Sequence, residues 1–247
     1  MKLLIDIGNS RLKWATLNNH RIIAAQPVLH DQFIEEDLLR LWREMKPPDH
    51  IAISNVSSAE KTDYFKKLTS KLWPSIEVIV ARSQAEAFGV TNAYSDPEKL
   101  GVDRWLLLLA LRNNYELPAI VVDCGTAMTL DVLDDEGVHQ GGLIAPGLIL
   151  MKKSLNQKTH HLQFSDQIFQ IGLSTSTDAA IYSGTLYSAI GLIELIKSKL
   201  NNITGMNYSL VLSGGDAQII AKHLSIPSFI EPNMVLQGLS ILLEDQK

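Results

Sequence analysis

Short apolar blocks punctuated by Gly, Asn and Pro dominate the pattern of this chain. Lys2 to Ile7 predicts a strand, Gly8-Asn9-Ser10 a turn, and Arg11 to Leu17 a second strand running into Asn18-Asn19-His20, so the N-terminus reads as a β-hairpin. Helical spacing over Asp31 to Met45 stops at Pro47-Pro48, and His50 to Val56 reads as a strand. A second helix over Ser58 to Leu72 halts at Trp73-Pro74 before the strand Ile76 to Val80. This alternation of strand and helix predicts an α/β domain. After the polar stretch Thr91 to Lys99, Gly101 to Arg112 reads as a largely buried helix, because it contains Leu106-Leu107-Leu108-Leu109.

Beyond Pro118 the opening pattern returns. Leu3-Leu4-Ile5-Asp6-Ile7-Gly8-Asn9-Ser10 and Ile120-Val121-Val122-Asp123-Cys124-Gly125-Thr126-Ala127 share one design: an apolar strand, Asp-x-Gly, a hydroxyl or amide residue, then a second strand. Two copies half a chain apart predict a duplicated domain whose halves face each other across a cleft. The expected division is 1–117 and 118–247. In the second half Gly141-Gly142 and Pro146-Gly147 read as turns, Leu148 to Leu155 and Ala179 to Leu200 as helices, and Ser209 to Ser213 as a strand. Gly214-Gly215-Asp216 closes that strand and opens a last helix.

Composition narrows the classes. The 247 residues are 46% hydrophobic, enough to bury one large core or two modest ones. A formal charge of −5 with both signs interspersed lacks the footprint of a nucleic-acid binder. The apolar run before Asp6 and Gly8 is too short for a signal peptide or a membrane span, so we expect a chain that begins at Met1 and stays in the cytoplasm, away from the membrane. The single cysteine, Cys124, excludes an intrachain disulfide and reads as a small buried residue beside a turn.

The candidate chemistry lies in the repeated unit. A strand ending in Asp-x-Gly-Asn-Ser can set backbone N–H groups against a phosphate, with Asp6 where a hydrated Mg²⁺ bridges ATP oxygens and Lys13 returning over the hairpin. One such copy alone reads more simply as an ordinary Asn-Gly-type hairpin turn; two copies favour phosphate binding from both sides. Asp103, at the start of a predicted helix, can orient an alcohol and take its proton, and Arg104 offers a planar fork matched to a carboxylate. The plainer reading is an acidic residue favouring the helix dipole beside a solvated Arg. His160-His161 has no further partner at a recognised ligand spacing. Neither a P-loop nor a strand-linked Gly-x-Gly-x-x-Gly is present.

Taken in order, Asp6-x-Gly8-Asn9-Ser10-x-x-Lys13, Gly101-x-Asp103-Arg104, Asp123-x-Gly125-Thr126-Ala127-x-Thr129 and Gly141-Gly142-x-Ile144-x-Pro146-Gly147 resemble the signature series of the type III pantothenate kinases. The resemblance covers the whole chain. It implies two duplicated actin-like, ribonuclease H-like domains facing a central nucleotide cleft, a homodimer, and ATP-dependent phosphorylation of pantothenate, the first step of coenzyme A synthesis. It further implies that Asp6, Ile7, Gly8, Asn9, Ser10, Arg11, Leu12 and Lys13 form the first phosphate loop and that Thr126 contacts ATP from the second. By the same resemblance Asp123 holds a monovalent cation, K⁺ or ammonium, beside Mg²⁺. Gly101, Val102, Asp103 and Arg104 are implied to bind pantothenate, with Asp103 the proton acceptor and Arg104 on the carboxylate.

Tyr94 and Thr177 resemble the remaining substrate contacts, although Ser176 stands where the family often has Asn, and Thr177 could instead cap the following helix. Leu210 to Asp216 resembles the adenosine-side loop of actin-like kinases. The apolar stretch Trp105 to Leu111 suits either the implied dimer interface or core packing. Two other readings keep the fold: a kinase for another small hydroxyl or carboxylate metabolite, and a non-catalytic transcriptional accessory factor. Asp103, Arg104 and Asp123 together weigh against the latter, which has no chemical need of that trio.

Overall fold

The computed structural model describes residues 1–158 and 167–243, so His160-His161 lies outside the described residues. Contacts divide the chain into two units, Met1–Asn114 with Asn233–Lys247, and Tyr115–Pro232.

In the first unit, β1 (Lys2–Ile7), β2 (Arg11–Asn18) and β3 (Arg21–Ala24) form an antiparallel meander, and the short β4 (Val28–Leu29) pairs back onto β2. The β2–β3 turn is made by Asn19 and His20, both at positive φ, which suits a tight hairpin. A 3₁₀ turn, His30–Gln32, precedes α1 (Glu35–Arg43), so the helix expected from Asp31 starts later. Three acidic residues open α1 and two arginines close it, complementing the helix dipole. Then follow β5 (His50–Asn55), α2 (Ala59–Leu72), β6 (Val78–Val80), the hairpin β7 (Glu86–Ala87) and β8 (Val90–Thr91), and α3 (Val102–Asn114). The main sheet has the order β3-β2-β1-β5-β6, with β1, β5 and β6 parallel.

Strand alternation sorts the faces of this sheet. Leu3, Ile5 and Ile7 join Leu38, Leu39 and Trp42 of α1 and Phe65 and Leu68 of α2 in one core. Asp6 therefore emerges on the opposite face. The leucine-rich α3 is buried from Arg104 to Leu111, against β5 and the last helix. This settles the Trp105 to Leu111 stretch as core, each fully buried Leu contributing about 1.5–3 kcal/mol.

The second unit contains β9 (Ala119–Cys124), β10 (Ala127–Leu133), β11 (His139–Pro146), α4 (Leu148–Lys158), α5 (Thr177–Thr204), β12 (Ser209–Ser213), α6 (Ala217–Ala221) and β13 (Phe229–Ile230). Its sheet order, β11-β10-β9-β12-β13, repeats the first: two antiparallel strands flank the Asp-x-Gly strand on one side and two parallel strands on the other. Gly141-Gly142, expected to be a turn, lies inside β11. Gly141 has φ +95 where the β10–β11 register shifts between Asp131 and Leu133, so the glycine serves a bulge. Among the described residues α5 alone is long and apolar enough to cross a membrane, and its Leu186, Ala189 and Ile193 pack into the core of this unit.

Where the sequence predicts one last helix after Gly214-Gly215-Asp216, the structure has two: the short α6, and α7 (Met234–Leu242), which falls in the expected second half 118–247 yet packs on α3, β1 and β5 of the first unit. Burial of Met234, Leu236 and Leu239 draws it there, and Lys2 Nζ donates to the Leu243 carbonyl.

Candidate active site

The first loop is the β1–β2 hairpin. Asp6 pairs with Lys13 and Ile7 with Leu12, which leaves Gly8 to Arg11 to close the turn, with the Gly8 N–H donating to Arg11 O at 3.0 Å. Directly opposed side chains share a face, so the carboxylate of buried Asp6 and the ammonium of half-buried Lys13 belong to one patch. Asn9, Ser10 and Arg11 are exposed at the tip. Ile7 and Leu12 point into the core, so only their backbone is available to a ligand.

A residue with no sequence signal braces this loop. The His30 backbone N–H donates to Ser10 O at 3.1 Å, and its ring Nε2 donates to Gly8 O at 2.9 Å. The carbonyl can only accept, so Nε2 carries the proton. Nothing in the local spacing marks His30; it arrives because β4 pairs with β2, a contact between segments remote in sequence.

The second loop shares the hairpin but not its dimensions. Cys124 pairs with Met128, so the turn closes over Gly125 to Ala127, one residue fewer than in the first loop, and the residue opposite Asp123 is Thr129. Thr126 is exposed and Asp123 half-buried. Two glycines wedge the loop from outside. A Cβ on Gly147 would lie 2.1 Å from Gly125 O, and the Gly147 N–H donates to Thr126 O at 3.0 Å. Gly214, at φ +88, would carry a Cβ 2.5 Å from Asp123 Oδ1 and 2.6 Å from Cys124 O. The Asp216 N–H donates to the same Cys124 carbonyl at 3.0 Å. Burial, and then the charges of Asp123 and Asp216, push the Cys124 thiol above its ordinary value, so two carboxylates act on this strand end. Beyond the wedge lies a concavity of about 170 Å³, lined by Leu148, Ile149, Lys152, Tyr182, Asp216 and Ile219 among others. Lys152 Nζ sits 4.8 Å from the Tyr182 ring centroid.

Of the implied substrate residues, Tyr94 and Gly101 to Arg104 gather at the start of α3. Asp103 Oδ1 accepts the Arg104 N–H at 2.8 Å and is half-buried. Arg104 is only 4% exposed, so it is no solvated surface residue; its Nη1 donates to Tyr94 Oη at 2.8 Å and its Cζ lies 5.7 Å from that ring's centroid. Tyr94 and Arg104 are thus brought together from positions ten residues apart. Thr177 belongs to the second unit, as the exposed first residue of α5. The N-cap position is Ser176, without a side-chain cap bond, so Thr177 is not the cap.

Among the described residues no cluster of three or more His, Cys, Asp or Glu is placed to hold a metal. A divalent ion here would rest on one carboxylate with water and phosphate oxygens, which is how Mg²⁺ is ordinarily held beside nucleotides.

Two like-ordered sheets, each with an Asp-x-Gly hairpin at its centre, make this an actin-like ATPase fold. The sequence matches the family model of the type III pantothenate kinases over residues 2–199. It is 35% identical to a type III pantothenate kinase of Nitrosococcus oceani, over 99% of this chain and 94% of the relative. With one from Laribacter hongkongensis the identity is 37%, over 98% of both. A solved structure of a putative Baf family transcriptional activator from Campylobacter jejuni superposes with a TM-score of 0.61 at 22% identity, covering 99% of this chain and 98% of that one. The chain belongs to the type III pantothenate kinase family.

Proposed function

We propose that this protein transfers the γ-phosphoryl group of ATP to the primary hydroxyl of pantothenate, supplying coenzyme A synthesis. The carrying observation is the start of α3, where a buried Arg104 is held by the Tyr94 hydroxyl beside the Asp103 carboxylate. A buried guanidinium is a fixed donor for the substrate carboxylate, and Tyr94 keeps its fork from rotating away. Asp103 accepts the hydroxyl proton as the oxygen forms its bond to phosphorus and the bond to ADP breaks. Gly101 and Val102 contribute backbone to the same acceptor site. Thr177, the exposed first residue of α5, is a substrate contact by the family resemblance.

The hairpin from Asp6 to Lys13 binds ATP phosphates in this reading, supported by the opposed Asp6 and Lys13 and the exposed amide and hydroxyl of Asn9 and Ser10. Thr126 contributes an ATP contact, and the apolar concavity past Gly147 and Asp216 suits a nucleoside. Asp6 suits Mg²⁺. Asp123, with Asp216 acting on the same strand end and a hydroxyl residue opposite in place of a cation, suits K⁺ or ammonium. When bound, these ions supply positive charge to the oxygens of the transferring group. A cytoplasmic homodimer completes the reading; the exposed Leu143, Ile144 and Leu150 of β11 and α4 support burial against a second copy.

The test is ADP release from Mg-ATP with and without pantothenate, in KCl or in NaCl alone. Pantothenate-dependent turnover that requires K⁺ is the expected result. Turnover indifferent to pantothenate would overturn the substrate, and turnover indifferent to K⁺ would overturn the role of Asp123.

A further inference from the structure

The loop that carries Tyr94 has little secondary structure of its own, only the two-residue strands β7 and β8 and a 3₁₀ turn at Pro97–Lys99. Such a loop cannot hold a phenol in one place by backbone pairing alone. Its ends are tied together by Ser83 Oγ, which donates to Leu100 O at 2.8 Å and is buried. Its tip turns at Phe88 and Gly89, both at positive φ, a strained arrangement for Phe88. Arg112 of α3 anchors that tip, its Nε donating to Gly89 O at 3.1 Å.

Between tip and base one side chain does the joining. Asn92 Oδ1 accepts the Tyr94 N–H at 3.0 Å, an Asx turn that sets the direction in which residue 94 leaves the chain. Asn92 Nδ2 donates to Gln84 O at 3.1 Å and to Pro97 O at 3.3 Å, and its backbone N–H donates to Ala85 O at 2.9 Å. One residue therefore links the ascending arm, the descending arm and the backbone of Tyr94. No other residue type offers an acceptor and two donors on so short a stem.

We infer that Asn92 is a positioning residue for pantothenate: it does not touch substrate but fixes Tyr94, and through the Tyr94 hydroxyl the buried guanidinium of Arg104. This inference rests on the reading of Tyr94 and Arg104 as substrate contacts. It assigns Asn92 an effect on acceptor binding and none on ATP.

The experiment compares Asn92→Ala, Tyr94→Phe and the double variant in steady state, with pantothenate and ATP varied separately. Asn92→Ala removes three side-chain hydrogen bonds, part of whose loss water makes up in an exposed loop, and is expected to raise the pantothenate KM about tenfold, with kcat and the ATP KM within about twofold. In the double variant the effect on pantothenate KM should fall well short of the product of the single effects, because both act through one phenol. Asn92→Ser keeps a neutral acceptor for the amide two residues on and should recover part of the loss; it carries the same cycle if Asn92→Ala does not fold. Multiplying single effects, an unchanged pantothenate KM in folded Asn92→Ala, or an equal rise in ATP KM would each overturn the assignment. A wild-type enzyme without pantothenate turnover would instead overturn the underlying reading, and this inference with it.

Discussion

The two Asp-x-Gly hairpins descend from one pattern but are held in different ways. The first closes over Gly8 to Arg11, sets Asp6 opposite Lys13, and is braced by hydrogen bonds from His30 to Ser10 and Gly8. The second closes over Gly125 to Ala127, sets Asp123 opposite Thr129, and is wedged by the backbones at Gly147 and Gly214. The extra residue in the first turn is what brings Lys13 opposite the aspartate. The first hairpin thus carries its own cation, while the second meets a further carboxylate, Asp216. A hydrogen-bonded brace can loosen at modest cost, whereas a backbone wedge has no slack.

The largest expected effect separates both hairpins from the acceptor site. Asp103→Asn should lower kcat by about 10² to 10⁴ with ATP binding intact, the usual range for losing a general base. ATP titration of the variant, followed by intrinsic fluorescence, checks the second half of that statement. Loss of ATP binding would mean that the acceptor and nucleotide roles have been divided wrongly.

Gly147→Ala comes next. A Cβ 2.1 Å from a carbonyl oxygen forces the second hairpin to move, and overpacking of this kind costs about 1–3 kcal/mol. The ATP KM should rise about tenfold or more and the melting temperature should fall, both by standard kinetics and calorimetry. A variant with wild-type ATP KM would show that the wedge does not govern nucleotide binding.

His30→Ala should be milder. It removes the ring bond to Gly8 O and keeps the backbone bond to Ser10, a loss of about 1 kcal/mol, or roughly a fivefold rise in ATP KM. If His30→Ala proved as damaging as Gly147→Ala, the contrast between a yielding brace and a rigid wedge would fail.

The smallest effect concerns pH. The Cys124 thiol is pushed up by burial and by Asp123 and Asp216, so the native protein should react slowly with thiol reagents near pH 8 while the unfolded chain reacts readily. The native value is raised, so its contribution to stability is complete below the unfolded value of about 8.5 and declines as pH rises beyond it. The difference in unfolding free energy between the wild type and Cys124→Ala, from denaturant melts between pH 7 and 10, should stay constant up to about pH 8.5 and change only at the alkaline end.

Much of the architecture was legible because it is local. Leu3-Ile5-Ile7 on a two-residue period, proline after each early helix, and the repeated Asp-x-Gly all act within a few residues of themselves. From sequence Gly141-Gly142 reads as a turn, since a pair of glycines carries no mark that distinguishes bending a chain from relieving the strand register at the bulge. The placement of α7 escaped for a related reason. Its apolar face states that it must be buried, not against which partner.

Residue type and spacing alone carry the hairpin pattern, its duplication and the ordered motifs shared with the type III pantothenate kinases. That His30 braces Gly8, that Gly147 and Gly214 wedge Gly125 and Asp123, and that Asn92 knots the loop beneath Tyr94 follows from the folded chain alone. Most of those arrangements join segments far apart in the chain, and the Asn92 knot depends on how both arms of one loop close. Their free energy comes from hydrogen bonds and close packing made only when the strands or loop arms have paired, so no local period records them.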